Sequence, residues 1–282
     1  MKTALIMEGG AMRGMFTCGI IDIFLENGIT FDAASGISAG AVFGCNYKSK
    51  QIGRAIRYNK KYCKDKRYCS INSLIKTGNL YGEEFCYNTL PYKLDIFDIK
   101  TYKENPMPFY VGTTSVIDGK TIFHNCDSGD EYDMKWFQAS ASMPVVSKPV
   151  KIDDMLLLDG GISCAVPYEY MEKLGYLNNV IILTQPKGYR KKEKKLNLIF
   201  KFLLRKYPKI IEAMNNRPYM YNKQMDEIDN KEAEGTVIVI RPPRNLKIGH
   251  REKNKKELER VYQIGRKEGL KALNKVKQFI NN

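Results

Sequence analysis

The chain has 282 residues, enough for one large α/β domain with a sizeable core or for two small domains. Its 46 Lys and Arg residues exceed its 31 Asp and Glu residues by 15, a balance that favours polyanionic partners such as nucleic acid or an anionic lipid surface, and that a lysine-rich surface without such a partner also produces. The absence of a nucleic-acid reading motif and of any stretch of about 20 apolar residues argues against a nucleic-acid binder and against a membrane-spanning chain.

The cysteines and the N-terminus bear on the compartment and on metal binding. The seven cysteines include no Cys-x-x-Cys pair, and an odd number suits free thiols in a reducing compartment. Only His124 and His250 could assist a zinc site, and neither adjoins a cysteine pair at ligand spacing, so we expect no zinc. The apolar run after Met1 is too short for a signal peptide, which predicts a cytoplasmic protein. Because no linker or internal repeat divides the sequence, residues 1–282 are predicted to form one domain.

The N-terminal segment has the order strand, glycine-rich turn, helix. Residues 3–7 predict a buried parallel strand, and residues 15–25 predict an apolar helix. Backbone N–H groups in such a turn can hold a phosphate or the oxyanion of an acyl-transfer intermediate. A dinucleotide fingerprint with Asp32 as the ribose ligand is rejected, because Ala11 replaces its second glycine and a serine motif follows Asp32 at once. The predicted anion-binding loop consists of Gly9, Gly10, Ala11, Met12, Arg13 and Gly14.

The second predicted strand leads directly into a Gly-x-Ser-x-Gly motif. Apolar and small residues precede the motif, and residues 39–43 can continue as a buried helix. This is the layout of a nucleophile elbow, in which a serine occupies a strained turn and small residues on either side let strand and helix pack closely. Ser38 is therefore the candidate nucleophile, and a glycine-rich turn with a surface serine is the alternative interpretation. The predicted elbow comprises Gly36, Ile37, Ser38, Ala39 and Gly40.

The middle of the chain carries little recognisable chemistry. Residues 46–108 are rich in Lys and Tyr and receive no functional assignment. Residues 109–116 and 121–124 predict a β-hairpin with an Asp-Gly turn. His124 lies on the returning strand, where a packed or solvent-facing histidine is expected rather than a catalytic one.

A third glycine-containing motif follows a predicted strand. A helix of small residues is predicted before Pro144, and the apolar residues 155–158 predict a buried strand that ends in Asp159. A carboxylate at the end of a buried strand lies where α/β sheets keep their chemistry, at the carboxyl ends of the strands. Gly160 and Gly161 permit the close approach of a ligand or of another backbone segment. An ordinary Asp-Gly-Gly turn is the alternative.

These motifs, in this order, resemble those of the patatin-like phospholipase family, in particular its bacterial branch. The resemblance covers about residues 3–170. One departure is Ala11, where the loop of the family usually has a third glycine; since alanine is a mild change, we expect the loop to function. The resemblance implies an α/β fold with three layers, α/β/α, and a mainly parallel central sheet, with residues 187–282 as its helical and basic C-terminal portion. The residues that carry the resemblance are 9–14, 36–40, 139–144 and 159–161.

The resemblance also implies a Ser-Asp dyad. In this mechanism Asp159 accepts the proton of Ser38, whose oxygen attacks an ester carbonyl, and the N–H groups of Gly10 and Ala11, with Arg13 beside them, hold the oxyanion. Water activated by the same aspartate then releases the fatty acid, so neither a cofactor nor a metal is required. The expected substrate is a phospholipid or another fatty-acyl ester, as for a phospholipase A, a lysophospholipase or an esterase.

Two alternatives stay open. The order Ser38, Asp159, His250 would fit an α/β-hydrolase triad, although His250 stands in a polar segment with no strand leading to it. The other alternative is a non-catalytic protein, either one that binds a phosphate or nucleotide in the glycine-rich loop or a lipid-binding scaffold. The presence of both Ser38 and Asp159 argues against the scaffold.

Residues 187–209 combine a run of cations with an apolar stripe at helical spacing. This pattern is typical of a basic amphipathic helix at an anionic membrane, which would place the protein peripherally at the inner membrane face. A helix that packs its stripe on the core, with its lysines in water, is the alternative. The leading cations are Arg190, Lys191, Lys192, Lys194 and Lys195, and the stripe consists of Leu196, Ile199, Phe200, Leu203 and Leu204, beside Lys201, Arg205, Lys206 and Lys209.

Overall fold

The computed structural model describes residues 1–193 and 196–281. These residues form an eight-stranded β-sheet and the helices that cover it. Successive side chains of a strand point to opposite faces, and in the first strand Leu5 and Met7 enter one core whereas Ala4 and Ile6 enter another. A strand that is buried on both faces has a continuous apolar sequence. The strands are β1 (Thr3–Met7), β2 (Ala33–Ile37), β3 (Phe109–Ser115), β4 (Thr121–Asn125), β5 (Val150–Ile152), β6 (Met155–Asp159), β7 (Asn178–Ile182) and β8 (Val237–Ile240).

The sheet is mainly parallel, as predicted. Strands β1, β2, β3, β7 and β8 run parallel to their neighbours in this group, whereas β4, β5 and β6 pair antiparallel. The pairing order is β5-β6-β3-β2-β1-β7-β8, and β4 also pairs with β3. The hairpin predicted between residues 109 and 124 is present as β3 and β4.

The strand β3 has two partners that share one of its edges. Strand β2 pairs with its first part, where Ile37 is opposite Gly112, and β6 pairs with its second part, where Asp159 is opposite Thr113. Strand β4 overlaps both sets of β3 residues and therefore occupies the other edge. Because β2 is parallel and β6 antiparallel to β3, the carboxyl ends of β2 and β6 meet head to head. Asp159 thus reaches the site on a strand that runs antiparallel to β3, a direction that the sequence analysis did not address.

Helices cover both faces of the sheet and give three layers, as expected. One core contains Phe16, Phe43 and Phe137, and the core on the other face contains Met171 and Tyr221. Complete burial of such a side chain contributes about 1.5–3 kcal/mol. The helices are α1 (Gly14–Glu26), α2 (Ala39–Lys48), α3 (Arg54–Tyr62), α4 (Ile71–Thr77), α5 (Ile99–Glu104), α6 (Glu131–Ser140), α7 (Tyr168–Lys173), α8 (Leu198–Leu203), α9 (Pro208–Glu234) and α10 (Lys255–Ile280), with a π-helical segment at Glu84–Leu94.

The C-terminal portion continues the sheet and the core of the N-terminal portion. Strand β8 pairs with β7, and α10 packs against α1. Tyr262 donates a hydrogen bond to Asp22 across this helix pair over 2.8 Å, and Arg266 pairs with Glu26 at 2.8 Å. The last hundred residues are therefore packed directly on the part of the chain that carries the motifs.

The amphipathic helix predicted in the basic segment is shorter than its sequence pattern. It has six residues, and Leu204 is buried after its end, while Ile199 of the predicted stripe is 70% exposed and Leu203 is 52% exposed. The apolar stripe thus faces outward for most of its length. Lys194 and Lys195 lie outside the described residues. None of the helices in the described part of the chain is both long and apolar enough to cross a lipid bilayer.

Candidate active site

Ser38 stands at a strained turn between β2 and α2. Its backbone has φ 54° and ψ −119°, a conformation that residues other than glycine rarely adopt. The turn requires small neighbours, because a Cβ atom at Gly36 would lie 2.4 Å from the carbonyl oxygen of Gly40, and one at Gly40 would lie 2.2 Å from that of Met7. The Gly-x-Ser-x-Gly motif therefore has the geometry predicted for a nucleophile elbow.

The hydroxyl of Ser38 donates a hydrogen bond directly to Asp159. The distance between Ser38 Oγ and Asp159 Oδ2 is 2.7 Å. The other carboxylate oxygen, Oδ1, accepts the N–H of Gly161 at 2.7 Å, so both oxygens are oriented. The head-to-head meeting of β2 and β6 produces this contact, since Ile37 and Asp159 are opposite consecutive residues of β3.

Burial raises the pKa of the Asp159 carboxyl, which is 1% exposed. Hydrogen bonds from Ser38 and Gly161, and the positive charges of Arg217 and Lys191, oppose this increase by stabilising the carboxylate. A carboxylate whose pKa is raised in this way binds a proton more readily than an exposed one.

The helix of small residues has a direct structural role in the elbow. The N–H of Ser38 donates to Ser140 Oγ at 2.9 Å, and Ser140 in turn donates to the carbonyl of Gly112 at 2.7 Å. Nearby, the N–H of Asp159 donates to the carbonyl of Ser142 at 2.9 Å. The last residue of α6 and the residues that follow it therefore contact both members of the candidate dyad.

The glycine-rich loop lies beside Ser38, where it was predicted. A Cβ atom at Gly9 would be 3.0 Å from the Cβ of Ser38. Ala11 has φ 49°, a left-handed conformation that glycine would adopt more easily, so the departure from the family pattern carries local backbone strain. Within residues 1–193 and 196–281, the N–H groups of Gly10 and Ala11 donate to no protein acceptor. Both are therefore available to an external oxyanion. In the rest of the loop, Met12 is buried, Arg13 closes a short turn and Gly14 begins α1.

The loop is held by residues that sequence reasoning did not identify. The hydroxyl of Thr184, just after β7, donates to the carbonyl of Gly9 at 3.1 Å or to Glu8 Oε2 at 3.0 Å. The side chain of Arg13 points toward the same hydroxyl, with Nε 3.4 Å from Thr184 Oγ1. The sequence offers one signal for this contact, a glutamate, Glu8, directly before the loop. Its partner Thr184 is 176 residues away, so no local pattern identifies the pair.

A cavity of about 460 Å³ opens at the candidate nucleophile. It shares Ser38, Ala11 and Met12 with the site, and much of its wall comes from residues 46–108, to which the sequence assigned no chemistry. This wall is mostly apolar and aromatic, as in pockets for apolar ligands. Its residues from that segment are Arg54, Tyr58, Tyr68, Leu74, Leu80, Tyr81, Cys86, Tyr87, Leu90, Pro91 and Phe97.

Two cationic residues near Asp159 were not predicted as site residues. Arg217 on α9 donates from Nε to the carbonyl of Gly161 at 2.6 Å. Lys191, predicted as part of a solvent-exposed basic run, places Nζ 3.8 Å from the ring centre of Tyr221. Burial and the neighbouring charge of Arg217 lower the pKa of Lys191 to about 7. Lys191 therefore belongs to the site rather than to a free basic surface.

The two histidines have different positions. His250 lines the cavity that Ser38 also borders, but within the described residues its ring makes no hydrogen bond, and Asp159 is bonded directly to Ser38. His124 stacks on Trp136 with ring centres 4.5 Å apart, which matches the packed histidine expected there.

His124, Cys126 and Asp133 form a cluster whose ligand atoms lie within 4.8 Å of one another. One carboxylate oxygen of Asp133 is occupied, because it accepts N–H groups from Ser128 at 2.9 Å and from Gly129 at 2.7 Å. The cluster lies apart from Ser38 on β4 and α6. Asp32, the rejected ribose ligand, accepts the N–H of Thr3 at 2.7 Å, at the opposite end of the strands from the glycine-rich loop.

Comparisons with known proteins agree with the motifs. A family model described as patatin-like phospholipase matches residues 5–171, and a model described as a domain of unknown function (DUF6363) matches residues 207–281. The chain is similar to the uncharacterized protein YjjU of Escherichia coli (strain K12), with 27% identity over 202 residues that cover 66% of this chain and 52% of YjjU. It is also similar to lysophospholipase NTE1 of Scheffersomyces stipitis, with 28% identity over 176 residues that cover 61% of this chain and 11% of that protein.

Among solved structures, VipD from Legionella pneumophila aligns with a TM-score of 0.47 and 11% sequence identity, over 97% of this chain and 67% of that chain. The matches thus span about half of YjjU and a small part of NTE1.

Proposed function

The chain belongs to the patatin-like phospholipase family, and we propose that it is a serine lipid acyl hydrolase with Ser38 as the nucleophile and Asp159 as the proton acceptor. One observation carries the proposal. A serine in elbow geometry donates a 2.7 Å hydrogen bond to a buried carboxylate at the border of an apolar cavity. No imidazole is needed between the two groups, since the carboxylate already touches the hydroxyl that must lose its proton.

Acylation begins with proton transfer from Ser38 to Asp159. The serine oxygen attacks the ester carbonyl, and the negative charge that develops on the carbonyl oxygen is received by the N–H groups of Gly10 and Ala11. Each such donor contributes about 3 kcal/mol where it has been measured. Collapse of the tetrahedral intermediate expels the alcohol, which takes the proton from Asp159, and leaves an acyl group on Ser38.

Deacylation uses the same groups in reverse. A water molecule gives its proton to Asp159 and attacks the acyl carbonyl, and the loop again holds the oxyanion. Ser38 recovers its proton when the fatty acid leaves. Because burial raises the pKa of Asp159 while Arg217 and Lys191 lower it, the carboxyl is suited to accept and return one proton in each half-reaction.

The proposed substrates are fatty-acyl esters, including phospholipids and lysophospholipids. A cavity of about 460 Å³ with an apolar wall can bury an acyl chain and exclude water from the reacting bond. The similarity to lysophospholipase NTE1 supports this substrate class.

We further propose peripheral contact with an anionic lipid surface through α8. This helix lies beside the dyad, because Leu204 at its end packs in one cluster with Leu158 and Ile162, which flank the Asp159 turn. Its apolar side chains face outward, and Arg205 and Lys206 are exposed next to them. Two of the earlier cations are less available to a membrane, since Arg190 pairs with Asp226 at 2.6 Å and Lys191 faces the site.

The proposed activity is tested by comparing Ser38→Ala with Ser147→Ala, a matched control because Ser147 lines the same cavity. Purified wild type should release fatty acid from lysophosphatidylcholine and should be labelled by a fluorophosphonate probe. Ser38→Ala should lose both the release and the label, whereas Ser147→Ala should keep both. Labelling or turnover that survives in Ser38→Ala would contradict the assignment.

A further inference from the structure

Three cationic side chains converge on the dyad from three separate parts of the chain. Arg13 lies in the glycine-rich loop, Lys191 precedes α8, and Arg217 lies on α9. Arg217 contacts the carbonyl of Gly161, two residues from Asp159. Tyr221 is four residues from Arg217 on the same helix and hence on the same face, and Lys191 lies over its ring. Arg13 is beside the loop that touches Ser38.

These cations differ from the other buried or half-buried arginines of the protein. Arg54, Arg190, Arg241 and Arg266 each pair with a carboxylate at 3.4 Å or less. In the part of the chain that the structure describes, no carboxylate oxygen lies within 4.0 Å of a side-chain nitrogen of Arg13, Lys191 or Arg217.

The two nearest acidic groups already have other partners. Glu8 accepts the hydroxyl of Thr184 at 3.0 Å, and Asp159 accepts Ser38 and Gly161. These donors are neutral, so the two carboxylates still act on the cluster, but two negative charges do not fully balance three cations. Burial, and after it the repulsion between Lys191 and Arg217, lowers the pKa of Lys191 to about 7. An anion placed among the three side chains would relieve this repulsion.

We propose that Arg13, Lys191 and Arg217 bind the phosphate of the phospholipid head group. Guanidinium groups bind phosphate oxygens through paired hydrogen bonds, and an ammonium group adds a compact positive charge. The inference rests on the proposed function and deepens it: the substrate is an ester that carries a phosphate near the scissile bond, rather than a neutral acylglycerol. It also assigns a role to the C-terminal segment matched by the model of unknown function, because that segment supplies Arg217.

Lys191 is the most informative of the three residues. Arg217 also supports the Asp159 turn through Gly161, and Arg13 also contacts Thr184, so substitutions there would disturb the loop itself. The ammonium of Lys191, by contrast, makes no hydrogen bond within the described residues and rests only on the ring of Tyr221. Its neighbour Lys192 is exposed and serves as a matched control.

The test compares two monomeric substrates with the same acyl chain, 1-acylglycerol 3-phosphate and 1-monoacylglycerol. Lys191→Met should lower kcat/KM for the phosphate-bearing ester at least tenfold more than it lowers kcat/KM for the neutral ester. Lys191→Arg, which keeps the charge, should retain the preference, and Lys192→Met should alter neither value. Equal losses on both substrates, with unchanged thermal unfolding, would overturn the proposal. Lys191→Gln replaces Lys191→Met if the latter does not fold.

A binding measurement separates this proposal from the proposed activity. Calorimetric titration of Ser38→Ala with glycerol 3-phosphate at pH 6 should show binding that disappears in the Ser38→Ala, Lys191→Met double variant. Absence of that binding would overturn the phosphate site even if esters are hydrolysed. Binding of inorganic phosphate without any preference for the phosphate-bearing ester would also overturn the head-group assignment. A protein that binds glycerol 3-phosphate but hydrolyses no ester would retain the phosphate site and contradict the hydrolase.

Discussion

The hydroxyl of Ser140 accepts a hydrogen bond from the backbone N–H of Ser38 over 2.9 Å. Ser140 also donates to the carbonyl of Gly112 at 2.7 Å and so links α6 to the elbow and to β3. Both of its partners are backbone groups at positions where the chain has no regular ladder to satisfy them. This contact holds the strained elbow from the side opposite to its helix.

Ser140→Ala should therefore reduce both stability and turnover. Loss of the hydroxyl removes the hydrogen-bond partner of a buried N–H and of a buried carbonyl. Each unpaired group lowers the free energy of unfolding by about 1–3 kcal/mol. We expect kcat to fall about tenfold with KM nearly unchanged, because the nucleophile is displaced while the cavity is intact, and we expect Ser140→Thr to restore part of the loss. Ser142→Ala is the control, since among the described residues the Ser142 hydroxyl donates to the carbonyl of Gln138 and to no other group. Equal effects of the two alanine variants would contradict a positioning role.

Asp159→Asn should remove the proton acceptor with little change in shape. The amide oxygen can still accept the N–H of Gly161, so thermal unfolding should stay close to wild type. Turnover should fall by about 10²–10⁴-fold, the range for loss of a general base. Comparable turnover in this variant would point to another base.

The pH dependence of wild-type activity provides a second test of Asp159 as the proton acceptor. Only the ionised carboxylate can accept the proton, and its raised pKa means that activity should be lost as the pH falls through a value above the ordinary aspartate range. A pH profile of kcat/KM measures this limb, and a limb at or below the ordinary range would contradict the argument.

The His124→Gln, His250→Gln double variant should keep most of its activity. Neither ring hydrogen-bonds to Ser38 or Asp159, and these two residues contact each other directly. A small change in KM is compatible with the position of His250 in the cavity wall. A thousandfold fall in kcat at unchanged stability would favour the triad instead.

Binding to anionic vesicles should depend on α8. Leu198→Asp with Phe202→Asp should weaken cosedimentation with vesicles that contain phosphatidylglycerol. Leu270→Asp with Leu177→Asp is the control, because these side chains are 56% and 54% exposed but lie elsewhere. Each cation near an anionic surface contributes about 1 kcal/mol, screened over a Debye length of ~8 Å, so salt should also weaken binding. Cosedimentation that is indifferent to both the substitutions and salt would rule out this contact.

Asp22, which lies at the contact between α1 and α10, should make the stability of the protein depend on pH. Burial raises its pKa from 3.8 to about 6, although Tyr262 and Gly53 donate hydrogen bonds to it. The stability associated with the protonated form is fully present below about pH 4 and is lost as the pH rises through 6. Asp22→Asn should therefore match wild type at pH 4 and exceed it by about 1–3 kcal/mol at pH 8, measured by urea unfolding.

Glu26→Gln is the control for that measurement, because its effect on stability should depend on pH in the opposite direction. Arg266 lowers the pKa of Glu26, so its contribution is present at neutral pH and is lost as the pH falls. A pH-independent difference between Asp22→Asn and wild type would contradict the buried-carboxyl argument.

The local motifs were recognisable because their chemistry depends on consecutive residues. The elbow needs small residues two positions from Ser38, and the loop needs Gly9 and Gly10 between a strand and a helix. Both motifs therefore involve residues that lie within a few positions of one another in the sequence. The strand before Asp159 was equally recognisable, because it is a short continuous apolar run whose last residues, Leu157 and Leu158, are buried on both faces of the sheet.

The direction of that strand was not readable, because pairing depends on residues far apart in sequence. Ser38 and Asp159 are 121 residues apart, and they meet because β2 and β6 approach each other along one edge of β3. No local pattern distinguishes an antiparallel β6 from a parallel one when both faces of the strand are covered.

The sequence by itself thus determined the fold class and singled out a candidate nucleophile and a candidate oxyanion loop, since periodicity and glycine spacing constrain each of them locally. Only the tertiary structure decided which distant side chains share the site. Residues 46–108 have no recognisable motif, yet their packed helices enclose the cavity. Lys191 has the sequence setting of a solvent-exposed lysine, and Arg217 that of a helix surface. Long-range packing on Tyr221 and Gly161 brings both to the dyad, and such contacts between remote segments are not encoded in local spacing.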